Sequence, residues 1–152
     1  MAEGGRSPRG ADWLGLVSSG FFLVLVGTIW MANPNFTDKM INFFKDFRLT
    51  NVTEHVAFPA PAHNHPAVYA PAMQFCFVFG IFQVVILALR FVFHEPLSRK
   101  AETASGVAFW FAAGSFLYML LNEAIGWFGF ISGVIISVGL AMTISSIVRL
   151  LG

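Results

Sequence analysis

From Trp13 to Ala32 the chain reads WLGLVSSGFFLVLVGTIWMA, without a charged residue. A helix needs about 20 apolar residues to cross the roughly 30 Å of bilayer hydrocarbon, and this run has that length. Three more apolar runs follow, at residues 72–93, 103–121 and 125–148. Backbone inside hydrocarbon must satisfy its own hydrogen bonds, so each run is expected to be a helix and not an open strand. The predicted fold is an all-α integral membrane protein. Four transmembrane helices form a bundle, accompanied by one short interfacial amphipathic helix and a proline-rich outer loop. Of the 152 residues, 57% are hydrophobic and 11% charged, against about 45–50% and about 25% in ordinary soluble domains. So small a body could not cover that much apolar side chain in water. Nine basic residues stand against eight acidic ones with no basic block, which argues against a nucleic-acid partner.

Residues 1–12 are polar and glycine-rich, and are expected to be a disordered cytoplasmic tail. Residues 13–152 are read as one four-helix transmembrane domain. A cleaved signal peptide is the rival reading of the first run. That run exceeds the usual apolar core of about 7–15 residues, and Trp30 spoils a small-x-small cleavage site ending at Ala32. An uncleaved anchor is therefore expected. Asn33-Pro34 ends it, because proline cannot donate a backbone hydrogen bond and disfavours helix at the preceding residue.

Residues 36–47, FTDKMINFFKDF, place Phe36, Met40, Phe43, Phe44 and Phe47 in one helical stripe. Asp38, Lys39, Asn42, Lys45 and Asp46 fall on the other side. Too short to span and too charged to be buried, the segment is predicted to be an amphipathic helix lying in the membrane interface. Residues 48–71 are the long polar connection. Pro59, Pro61, Pro66 and Pro71 favour extended geometry there, with a short strand expected within LTNVTEHVAF.

Four spans put both termini on one side. That side would hold Arg6, Arg9, Arg90, Arg99, Lys100 and Arg149, and the other Lys39, Lys45 and Arg48. Basic residues near span ends concentrate in the cytoplasm, so both termini are expected to be cytoplasmic in a multi-pass protein of the cell membrane. Trp13, Trp30, Tyr69 and Trp127 would sit at the two interfaces. Asn35 and Asn51 open N-x-T triplets on the outer side, acceptors for glycosylation in a host that performs it.

Helix packing in lipid depends on close backbone approach. Gly129, Gly133, Ser137, Ala141 and Ser145 recur every four residues along the fourth run, and Gly80 marks a weaker ridge in the second. Packing within one bundle is expected, with a seam between two copies as the other use. Gln83, Arg90 and Glu102 are the polar members near membrane depth. Gln83 is expected to bridge helices, and Arg90 to snorkel and meet Glu102 across the turn. No span carries a central Asp, Glu, Lys or His, which disfavours ion-coupled transport by a lone chain.

His63 and His65 stand two apart in an extended segment, so they could share a metal, with His55 as a further ligand. Two imidazoles do not complete a site, and no cofactor or resident metal is expected. Catalytic residues are not recognisable either. There is no G-x-S-x-G, no phosphate-binding glycine loop, and a single cysteine, Cys76, inside an apolar run. The reading leans away from an enzyme. The expected role is a structural or accessory subunit, or a scaffold, with an outer unit at residues 34–71 that meets a partner. Its partners would be the bilayer and either further copies or a larger membrane complex. An oligomeric channel using Gln83, Tyr118 or Asn122 is the alternative, and a metal-binding membrane protein the third reading.

Overall fold

The computed structural model describes residues 12–151. In chain order these form α1 (Trp13–Ala32), α2 (Phe36–Lys45), β1 (Phe47–Thr53), β2 (Val56–Pro61), α3 (Pro66–Val92), α4 (Leu97–Leu121) and α5 (Trp127–Leu150). The helices α1, α3, α4 and α5 are each long and apolar enough to cross a membrane. The tail expected at residues 1–11 lies outside the described residues, as does Gly152. Asp12, assigned from sequence to that tail, belongs to the fold. Its carboxylate accepts the Gly15 N–H at 2.9 Å and caps α1, satisfying one of the donors a helix start leaves unpaired.

The expected loop at 48–71 is a correction. β1 and β2 pair antiparallel as a hairpin, with Phe47 opposite Pro61, Leu49 opposite Pro59 and an irregularity between Asn51 and Thr53. Prolines are tolerated because each strand of a two-stranded ladder has a free edge. α3 begins at Pro66 rather than 72, since the first turn of a helix has no use for that N–H. Pro71 lies inside the same helix. α4 begins at Leu97 rather than 103, with Arg99, Lys100 and Glu102 in its opening turns. α2 ends at Lys45, two residues early, where the chain turns into β1.

α3 packs along α4, and α4 along α5. α1 lies more lightly against α3, and no comparable contact joins it to α5. The four long helices thus stand in a row in chain order instead of closing a ring. Between α3 and α4, Cys76, Ala113 and Leu117 form a buried cluster edged by Met73, Phe109 and Trp110. The helices come close there because Gly114 lies against Cys76 and Phe77, and Gly80 against Phe111. On α5, Gly133 lies under the Phe116 ring of α4. Ser137 is fully buried, and its hydroxyl donates to the Gly133 carbonyl at 2.8 Å. Gly129 is exposed, and Ala141 and Ser145 are half-buried beside Ser105 and Phe109. Of the small-residue ridge, Gly133 and Ser137 are thus buried within the chain, Gly133 against α4. α1 is held by rings: Phe21 stacks on Phe82 at 3.9 Å, and Phe22 meets Phe75 and Phe79 edge-on.

Candidate functional site

One polar cluster lies where α2, the hairpin and α3 meet. Asp46 directly follows α2, and its backbone N–H bonds to the carbonyls of Asn42 and Phe43. Its own carbonyl accepts the Ala62 N–H at 3.1 Å, so one residue ties the start of β1 to the chain just past β2. The side chain adds three contacts. Oδ1 lies 2.9 Å from His63 Nδ1, and Oδ2 lies 2.8 Å from His65 Nε2 and accepts the His63 N–H at 2.8 Å. An ionised carboxylate only accepts, so each facing ring nitrogen carries the proton. Hydrogen bonds from His65, and then from His63, hold the Asp46 carboxyl well below the usual carboxylate range against the opposing effect of partial burial.

Beneath this clasp Phe43 packs edge-on against His65, Tyr69 and Trp127. Phe43, Val68, Tyr69 and Leu120 form the buried cluster at this end. A second strap lies alongside. Asn64 Nδ2 donates to Glu123 in the α4–α5 turn at 2.9 Å, and Glu123 adopts a left-handed backbone with φ 57°. An open cleft of about 320 Å³ lies beside the second strap, bounded by His63, Asn64, Tyr69, Glu123 and Trp127.

His63 and His65 thus converge, but on a carboxylate. His55 sits in the hairpin turn between β1 and β2, at the far end from Phe47 and Pro61, and does not join them. Among the described residues no three His, Cys, Asp or Glu side chains are grouped to hold a metal ion. Asp46 was not among the residues singled out from sequence. Its signal was an acidic residue at a helix C-terminus, where the backbone dipole disfavours negative charge unless donors are brought to it.

The opposite end carries a charged cluster. Arg90, on the last turn of α3, is 5% exposed. Its guanidinium bonds to Glu95 and reaches the Asp12 carboxylate at 3.2 and 3.3 Å. Arg99 stands 3.8 Å from Glu95 and 4.0 Å from Asp12. Burial pushes the Asp12 carboxyl up, but the Gly15 N–H and Arg90 outweigh it and the net direction is down. The expected Arg90–Glu102 pair is corrected. Glu102 faces Arg149 at 3.8 Å, because α4 starts early and turns that carboxylate toward α5. His94 turns the chain after α3 with φ 52°.

Gln83 Nε2 donates to Ser18 Oγ at 2.8 Å, joining α3 to α1. Tyr118 is exposed on α4, and the Asn122 side chain donates to the Tyr118 carbonyl. Tyr118 and Asn122 therefore sit together at the end of α4, and Gln83, bonded to α1, lies apart from them. No known protein family, curated protein or solved structure matches this chain.

Proposed function

We propose that the chain is a multi-pass membrane protein that serves as a structural or accessory subunit, meeting its partner through the outer unit at residues 34–71. Both termini and the turn at residues 93–96 lie on the cytoplasmic side in this reading, and α2 and the hairpin lie outside. The bias of Lys and Arg toward the first side supports that orientation. α2 rests in the interface, with Phe36, Met40 and Phe43 turned inward and Asp38 and Lys45 exposed.

One observation carries the functional part. A two-stranded hairpin is marginal in water by itself, and this one is fastened at its base by Asp46 and along its side by Phe58 against Phe128. Yet it holds Leu49 76% exposed, with Val52 and Val56 about half exposed. A pre-ordered surface of that kind suits a protein contact.

Cross-linking in native membranes followed by purification tests the proposal. A foreign chain is expected at fixed ratio. Its recovery should fall about tenfold, the equivalent of about 1.4 kcal/mol, in a Leu49→Glu/Val56→Glu variant that melts normally. Recovery of the chain alone, or of a partner indifferent to the variant, would reject it. For the orientation, a membrane-impermeant thiol reagent on intact cells is expected to label Val52→Cys and not Leu151→Cys, each in a Cys76→Ser background.

A further inference from the structure

α1 and α3 touch through Phe22 and Phe75, whose rings meet edge-on at 5.2 Å. Beyond that contact, toward the hairpin end, a crevice of about 340 Å³ separates them. Val26 and Trp30 form its α1 wall, Ala72 and Phe75 its α3 wall, and Phe36 and Met40 of α2 complete it. We infer that this crevice holds one acyl chain of a membrane lipid. The inference rests on the membrane reading above and adds a binding site to it.

Four features favour that occupant. The walls are almost wholly carbon, so a water inside would forgo the two to four polar partners that hold a buried water. α2 lies across the polar end, with Phe36 packed edge-on against Trp30 at 5.1 Å. The open side is then the flank between α1 and α3, where lipid tails are the solvent. The volume falls at the small end of ligand sites.

The full chain, reconstituted in phosphatidylcholine vesicles containing a phosphatidylcholine with a mid-chain diazirine, supplies the test. After irradiation, adducts are mapped by mass spectrometry. Labelling is expected to be several-fold higher at Val26, Ala72 and Phe75 than at Leu23 and Ile135, which lie on open apolar faces. Ala72→Phe and Val26→Phe fill the crevice from opposite walls. Each should abolish the excess while Leu23 and Ile135 stay labelled. Crevice residues labelled no more than Leu23 and Ile135, an excess that survives both fillings, or adducts joining crevice residues to a second copy would overturn the inference. Absence of label at Leu23 and Ile135 as well would overturn the membrane placement and this inference with it.

Discussion

A carboxylate just past the last turn of a helix faces the negative end of the backbone dipole, and Asp46 stands there after α2. Three donors from residues 63 and 65 reverse that penalty. Because the folded carboxyl titrates below its unfolded value of about 3.9, its contribution to stability is full above about pH 4. It is lost as pH falls through the lower folded value. Protection of the hairpin amides, measured as exchange relative to unstructured peptide at the same pH, is therefore expected to fall below about pH 4, and Asp46→Asn should remove that acid dependence. An unchanged profile in Asp46→Asn would assign the transition to other groups. Arg90 is the corresponding residue at the opposite end. Arg90→Met leaves the Glu95 carboxylate, only 10% exposed, without its main partner. The cost should be about 3 kcal/mol, the low end for a broken buried pair, because Arg99 remains near. Arg90→Met/Glu95→Gln should recover most of it in thermal unfolding; equal losses in the single and double variants would show that packing, not charge, is at stake. Sequence placed Arg90 at a helix end but could not find Asp12, because 78 positions separate them and nothing local links the two.

Among the elements, the four long helices were legible, because an uncharged run of membrane length has few other folds available. The starts of α3 and α4 were not. Hydropathy marks only the apolar part of a helix, so the turns of α4 that carry Arg99, Lys100 and Glu102 went unseen. Prolines read as favouring extended chain hid the first turns of α3, although an N-terminal turn tolerates them; the strand expected within residues 49–58 proved to be two, paired across a turn. The spacing of Gly133 and Ser137 was visible, but its use against Phe116 needed the α4–α5 register. That contact is tight: a Cβ on Gly133 would lie 2.4 Å from the base of the Phe116 ring. Gly133→Ala is thus expected to lose about 1–2 kcal/mol, an overpacking cost of up to about 3 kcal/mol less about 1 kcal/mol of helix preference. Gly139→Ala, whose Cβ meets nothing within 4 Å, should be neutral or stabilising. If both variants melt alike, the ridge does not carry the α4–α5 contact.

At the scale of the whole molecule the departure from expectation is the open order of the helices. A closed four-helix bundle buries every helix on two sides. Here α3 and α4 are covered on both sides, whereas α1 has α3 alone and α5 has α4. In water such a row would expose the flanks of both end helices at great cost. In hydrocarbon that exposure costs nothing, because lipid tails match leucine and phenylalanine; association of α1 with α3 then depends on ring stacking, the Gln83–Ser18 bond and the Arg90–Asp12 pair at the α1 cap. The row makes a prediction that a closed bundle does not. In a Cys76→Ser background, a short bifunctional thiol reagent should join Ser18→Cys to Gln83→Cys within one chain. It should fail to join Leu23→Cys to Leu140→Cys, which lie at matched depth on α1 and α5. Efficient intrachain joining of the second pair would mean that α1 folds back on α5 and that the crevice flanked by α1 and α3 is no longer open to lipid. Joining of that pair only between chains would leave each row intact and place its end helices against those of a neighbour, which is how an accessory subunit with two bare flanks would extend an assembly in the membrane plane.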